Sequence, residues 1–182
     1  ERSKILNWLS GTDPSTNFNT ARKKHEKDTG KWLLHSEQFQ SWKKTDGQIM
    51  WLYGIPGAGK TIIRFIMVDH VATEYDSQLD CRIAYYYFDF NDPGKQMLIG
   101  CLRSLVQQLC TQTRVIPEPI MSLYALSKGR SPSAAQLIGA LTTSFHGDSN
   151  NYIVIDALDE CKEEEGERER AAFFDALTEL KN

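Results

Sequence analysis

The chain has 182 residues, and its 21 Lys plus Arg against 24 Asp plus Glu give a formal net charge of −3. This length suffices for one domain with a substantial core and is too short for two domains of ordinary size. The weakly acidic balance argues against a nucleic-acid module that depends on overall basic charge. No apolar stretch is long enough for a membrane-spanning helix, so we expect no membrane span.

The four cysteines, Cys81, Cys101, Cys110 and Cys161, have no C-x-x-C spacing and match no zinc pattern. Their density is too low for a disulfide scaffold. We therefore predict free thiols in a reducing, cytoplasmic compartment. The four histidines form no H-x-x-x-H pair, which argues against a metal-hydrolase site.

Residues 1–44 are predicted to be a short helical and loop segment that leads into the main core at residues 45–182. An apolar helical stretch at residues 5–9 is followed by a polar turn, and the charged residues 21–28 are predicted to form an exposed helix. The basic residues of this segment are then a solvated helical face. The alternative is that they form a basic edge of the domain that binds phosphate or a partner.

Strands and helices alternate through the rest of the chain, and two of the strands have the continuous apolar composition of strands buried on both faces. This order is typical of an α/β domain with a parallel sheet. The predicted strands are residues 48–53, 83–90 and 151–155. The predicted helices are residues 61–75, 95–110, 120–126, 134–145 and 170–180.

A glycine-rich turn between the first predicted strand and the long helix after it fits the pattern G-x-x-x-x-G-K-[ST]. Its residues are Gly54, Ile55, Pro56, Gly57, Ala58, Gly59, Lys60 and Thr61. Glycines let such a loop turn its backbone N–H groups toward one polyphosphate, and the following helix directs its positive end at the same anion. Lys60 adds a charge for the terminal phosphates, and Thr61 offers a hydroxyl to Mg²⁺.

A carboxylate follows the last apolar strand, at Asp156. Ligands of open α/β sheets bind at this edge, where an Asp holds Mg²⁺ directly or through water. Asp159 and Glu160 come next, and one of them is a candidate to orient or deprotonate an attacking water, unless both only cap the following helix. Asp89 also lies near a strand end, as a supporting group or as part of the strand exit.

Six motifs together resemble a NACHT-type NTPase domain, in particular the nephrocystin-3-like N-terminal NTPase segment of fungal NOD-like receptors, which ankyrin or WD repeats often follow. The resemblance covers roughly residues 5–182. The motifs are Trp32-Leu33-Leu34, the loop Gly54–Thr61, Phe88-Asp89-Phe90, Lys95-Gln96, Leu102-Arg103-Ser104-Leu105 and Tyr152-Ile153-Val154-Ile155-Asp156-Ala157-Leu158-Asp159-Glu160-Cys161.

The resemblance implies a P-loop NTPase of three α/β/α layers in a signal-transducing (STAND) protein. Such a domain binds ATP or GTP with Mg²⁺, hydrolyses it slowly, and switches between closed and self-associated forms. By this resemblance Lys60 and Thr61 belong to the Walker A loop and Asp156 is the Walker B acid on the Mg²⁺ side. Asp159 and Glu160 are then the distal catalytic acids. Many relatives have Gly-Thr-Gly before the Trp-Leu-Leu motif, and here Asp28 replaces the first glycine.

In domains of this class, a strand that follows the acidic strand lies in the sheet between it and the strand before the loop. The sequence stops before such a strand, so we expect the core to be C-terminally incomplete and, on its own, to fold poorly or bind nucleotide weakly. Two alternatives to a signalling switch remain open. One is a P-loop kinase with a small-molecule acceptor, and the other is a scaffold that binds no nucleotide.

Overall fold

The computed structural model describes residues 1–45, 47–55, 57–75, 81–145, 150–162, 171, 173–175, 177 and 178. The described residues from 171 to 178 are helical, as predicted. The rest of the predicted helix at residues 170–180, and the acidic residues 163–170, lie outside the described residues. The named helices are α1 Arg2–Leu9, α2 Ser15–Lys24, α3 Lys31–Leu34, α4 Glu37–Lys44, α5 Lys60–Glu74, α6 Leu98–Gln112, α7 Glu118–Ser127 and α8 Ala134–Ser144, and the strands are β1 Cys81–Tyr87 and β2 Asn150–Asp156.

The two strands are parallel neighbours, with a register that runs from Cys81 opposite Asn150 to Tyr87 opposite Asp156. The predicted α/β class with a parallel sheet is therefore confirmed. β1 ends before the predicted boundary at residue 90. The chain turns away from the sheet here, because the Asp89 carboxylate accepts a hydrogen bond from the Asn91 N–H (3.0 Å).

Helices cover both faces of this sheet. Alternate side chains of a strand point to opposite faces. Ala84 and Tyr86 pack into the main core with α6, whereas Ile83 packs against a second cluster that includes Ile63 and Met67 of α5. The sheet edge that carries Asp156 is thus enclosed between α5 and α6.

The N-terminal helix α1 is part of the main core. Ile5 and Leu9 are 2% and 0% exposed and pack in the same cluster as α6. Side chains of α6 also hold the α1 backbone, since Gln107 Nε2 donates to Leu6 O at 2.9 Å. The helix predicted at residues 21–28 instead spans Ser15–Lys24. It follows an Asx turn in which the Asp13 carboxylate accepts a hydrogen bond from the Ser15 N–H (2.8 Å).

Most of the predicted helices are observed with small shifts at their ends. α6 begins at Leu98 rather than residue 95, because Pro93–Lys95 forms a 3₁₀ turn capped by Asp92. α8 begins after a capping box between Ser133 and Gln136. Within the described chain, no helix combines the length and the apolar character needed to cross a bilayer.

The predicted strand at residues 48–53 is wrong. Residues 48–55 have no strand assignment, and the sheet of the described chain contains only β1 and β2. The Leu52 carbonyl accepts a hydrogen bond from the Arg64 guanidinium (3.2 Å) instead of a neighbouring strand, and Trp51 and Tyr53 are 63% and 92% exposed. Apolar composition makes a strand only where a hydrogen-bonded neighbour is present.

Candidate functional site

The glycine-rich loop leads directly into α5, whose first residue is Lys60. Gly57 and Gly59 have φ of 79° and 76°, which is the left-handed region. No atom lies within 4 Å of a Cβ added at either position, so the backbone conformation rather than crowding favours glycine there. Apart from Lys60, the described residues of the loop are exposed, and Pro56 lies outside the described residues. The loop therefore has room for a ligand above it.

Lys60 folds back over its own loop. Its Nζ donates to the Gly54 carbonyl at 2.8 Å and to the Ile55 carbonyl at 3.1 Å. Both acceptors are neutral and both bonds are exposed to water, so they stabilise this position weakly. A phosphate oxygen would offer the ammonium a stronger, charge-assisted bond in the same region.

Asp156, the predicted acid, is the last residue of β2 and is 4% exposed. Its Oδ1 forms an ion pair with Arg64 Nη1, from the second turn of α5. Burial lowers the pKa of the Arg64 guanidinium, and the nearby Asp159 carboxylate opposes that shift. Sequence analysis missed Arg64. Its signal was available, since Arg64 is the one charged residue between Lys60 and Asp69 in an otherwise apolar stretch.

A cleft of about 190 Å³ lies where α5 begins and the two strands end. Thr61 and Asp156, the two residues predicted to hold Mg²⁺, both line it. Its walls are formed by Asn17, Thr61, Tyr87, Phe88, Asp89, Phe90, Asn91, Asp156, Ala157 and Glu160.

The two distal acids differ in their surroundings. Glu160 lines the cleft, and its Oε2 accepts a hydrogen bond from the Phe90 N–H at 2.8 Å. This bond links the two strand exits and does not cap a helix. Asp159 is exposed and does not line the cleft. Between these acids and Asp156, Ala157 has a left-handed φ of 53°, a strained conformation for alanine that turns the chain sharply after the strand.

The N-terminal segment also reaches the cleft, which sequence analysis did not predict. Asn17 of α2 lines it and lies with its Nδ2 3.5 Å from Asp89 Oδ2. The same amide accepts a hydrogen bond from Lys95, which is only 5% exposed. Asp89 thus lies in the cleft wall and also turns the chain at the strand exit.

The residues present fit a magnesium nucleotide. The α5 N-terminus, with its unpaired N–H groups, lies under an open loop and favours an anion there. Among the described residues, no three His, Cys, Asp or Glu side chains cluster as a metal site. Mg²⁺ in nucleotide sites typically takes one or two protein ligands plus phosphate oxygens and water, which Thr61 and Asp156 match in number.

Comparisons with known proteins agree with the motifs. The family described as "Nephrocystin 3, N-terminal" matches residues 28–182. Vegetative incompatibility protein HET-E-1 from Podospora anserina is 27% identical over 142 residues, which cover 74% of this chain and 10% of that protein. The chain therefore spans about a tenth of the length of this curated relative. No solved structure matches the chain significantly. The chain belongs to the nephrocystin 3 N-terminal family and is a nephrocystin-3-like, NACHT-related domain.

Proposed function

We propose that the chain binds a nucleoside triphosphate with Mg²⁺, hydrolyses it slowly, and uses the bound nucleotide as a conformational switch. One observation carries the proposal. The loop that ends in Lys60 and Thr61 opens α5 at a cleft that Asp156 also lines. A polyphosphate held by the loop would place its terminal phosphate near this cleft. The P-loop NTPase fold of three layers is part of the same proposal.

Each part of the site has a role in this scheme. The loop N–H groups and the α5 dipole hold the phosphates, and Lys60 moves from its carbonyl partners to the terminal phosphates. Thr61 and Asp156 would hold Mg²⁺, which when bound neutralises phosphate charge. Glu160, fixed by the Phe90 N–H, orients or deprotonates the attacking water, and Asp159 supplies a second carboxylate nearby.

The switching role rests on the family and on the relative. A NACHT-related domain and similarity to a vegetative incompatibility protein support a signalling function rather than metabolism. We propose that the nucleotide state controls self-association of the cytoplasmic protein that carries this domain. ATP and GTP are both candidate ligands.

The rate of turnover and the state of assembly test this function together. We expect hydrolysis of ATP or GTP well below about 1 s⁻¹, the lower end of ordinary enzyme rates, and a particle mass that changes with the nucleotide supplied. Labelled nucleotide and light scattering measure the two. Turnover faster than this with phosphate transfer to an acceptor would instead show a kinase.

Glu160→Gln separates the hydrolytic role from binding. A glutamine oxygen still accepts from the Phe90 N–H, so the variant loses the charge and keeps the contact. We expect hydrolysis to fall by roughly a factor of a hundred with nucleotide affinity nearly unchanged, in the range typical of a general base. Asp159→Asn, at the exposed neighbour, is the matched control and should have the smaller effect.

A further inference from the structure

Among the described residues, Arg64 is a charged side chain in contact with Asp156 to which the proposed function gives no role. It lies three residues after Thr61 and four after Lys60, so all three residues share one side of α5. Long helical side chains also point toward the N-terminus of their helix, which directs Arg64 back toward the loop. The Arg64 guanidinium therefore points toward the end of α5 at which the cleft lies.

The ion pair between Arg64 and Asp156 is shielded from water. The Arg64 side chain is 13% exposed and the Asp156 side chain 5%. Such a pair is screened little by salt and is costly to break from one side, because the remaining charge is left buried. Asp156 thus has a protein cation at one carboxylate oxygen while it lines the cleft with Thr61.

A second contact ties Arg64 to the segment before the loop. Its Nη2 donates to the Leu52 carbonyl at 3.2 Å, two residues before Gly54. The two ends of one guanidinium therefore join this segment to the acidic end of β2. In the described chain no strand ladder makes that connection.

We propose that Arg64 is a resident counter-cation of Asp156 that competes with Mg²⁺ for its carboxylate. This inference rests on the proposed nucleotide site and adds that Arg64 regulates the binding of Mg²⁺ at Asp156. While the ion pair is closed, the carboxylate attracts Mg²⁺ weakly, and the nucleotide binds the loop with little dependence on the metal. When the pair opens, Asp156 becomes available to Mg²⁺.

The first measurement uses Mn²⁺ alone, followed by electron paramagnetic resonance, with no nucleotide present. We expect Arg64→Gln to bind Mn²⁺ at one site at least about tenfold more tightly than the wild type, because the competing charge is gone. That site should disappear in the double variant Arg64→Gln, Asp156→Asn. Equal Mn²⁺ binding by the wild type and Arg64→Gln would overturn the proposal.

Arg103→Gln is the matched control for loss of a partly buried guanidinium. Arg103 lies in α6, where its guanidinium donates to the Trp8 carbonyl and does not line the cleft. A purely structural role for Arg64 would make the two variants alike, with lower stability and unchanged Mn²⁺ affinity. If Arg64→Gln fails to fold, Arg64→Met replaces it, since methionine removes the charge and keeps a long flexible apolar side chain. Arg64→Met should bind Mn²⁺ more tightly than the wild type, and unchanged affinity would again overturn the proposal.

Calorimetry with ATP and GTP, in Mg²⁺ and in EDTA, is the second arm. We expect the affinity of the wild type to differ by less than about threefold between the two conditions, and that of Arg64→Gln by more than about tenfold. The same ratio in both proteins would contradict the inference. If no protein binds either nucleotide, the proposed function fails, and the Mn²⁺ arm still decides whether Arg64 competes for Asp156.

Discussion

Left-handed backbone occurs at two positions just before α3. Asp28 and Gly30 have φ of 73° and 77°. This conformation favours glycine, which is the residue that the family resemblance leads us to expect at both positions. Asp is among the few residues that tolerate this conformation, which explains how Asp28 replaces a glycine here. Gly30 faces an additional constraint, because a Cβ there would lie 2.6 Å from Ile66 Cδ1 of α5.

Gly30→Ala should therefore destabilise the domain more than Gly129→Ala. Both positions have left-handed φ, but a Cβ at Gly129 meets no atom within 4 Å. We expect about 1 kcal/mol for Gly129→Ala from the backbone alone, and about 2–4 kcal/mol for Gly30→Ala, where overpacking against Ile66 is added. Urea unfolding of the two variants measures the difference. Equal losses would show that a Cβ at Gly30 is not crowded by Ile66.

At this scale the sequence predicted part of the site. Neighbouring residues alone are enough to recognise the glycine-rich loop that ends in Lys60 and Thr61, and to recognise Asp156 as the end of a strand. The structure places Thr61 and Asp156 in one cleft. The sequence marks Arg64 as an isolated charge in an apolar stretch, but it does not show that Arg64 pairs with Asp156. Arg64 approaches Asp156, and the Phe90 N–H approaches Glu160, only after the chain has folded.

At the scale of elements, prediction succeeded where the pattern itself determines the structure. The helices α5, α6 and α8 have apolar periodicity and clear end signals, and they are observed within a few residues of the predicted bounds. Residues 48–53 have strand composition but no hydrogen-bonded neighbour in the described chain. A strand depends on a partner that the local sequence does not contain, which is why this prediction failed.

The helix α1 lies before residue 28, where the family match begins, yet it contributes to the main core. We expect Leu9→Ala to lower the free energy of unfolding by about 2–5 kcal/mol, because Leu9 is fully buried. Leu126→Ala is the matched control at a side chain that is 75% exposed, with an expected change of less than about 0.5 kcal/mol. A small loss for Leu9→Ala would show that α1 is dispensable to the core.

At the scale of the whole molecule, buried tyrosine hydroxyls should make the free energy of unfolding fall at alkaline pH. Burial raises the pKa of Tyr86, Tyr87 and Tyr152 above the ordinary value of tyrosine. The unfolded chain therefore releases these protons at lower pH than the folded one. The stability that they contribute is complete below about pH 10, the ordinary tyrosine pKa, and is lost as the pH rises above it.

Tyr87→Phe should reduce this alkaline loss. Within the described residues the Tyr87 hydroxyl is buried without a hydrogen-bond partner, so its removal should change stability at pH 8 by less than about 1 kcal/mol. The free energy of unfolding, measured in urea at pH 8 and pH 11, should fall less in Tyr87→Phe than in the wild type. Tyr53→Phe, at a side chain that is 92% exposed, should fall as the wild type does. An identical loss in Tyr87→Phe and the wild type would contradict the burial of this phenol.

Nucleotide binding at the loop is the central claim, and titration calorimetry with ATP and GTP tests it most directly. We expect the wild type to bind at least one nucleotide weakly but to saturation. Lys60→Ala should weaken it by about a hundredfold or more, because the charge-assisted bonds to phosphate are lost. The melting temperature of Lys60→Ala should differ little from that of the wild type, since the Lys60 ammonium donates to exposed loop carbonyls. No binding by either protein, or equal affinity in both, would contradict the account.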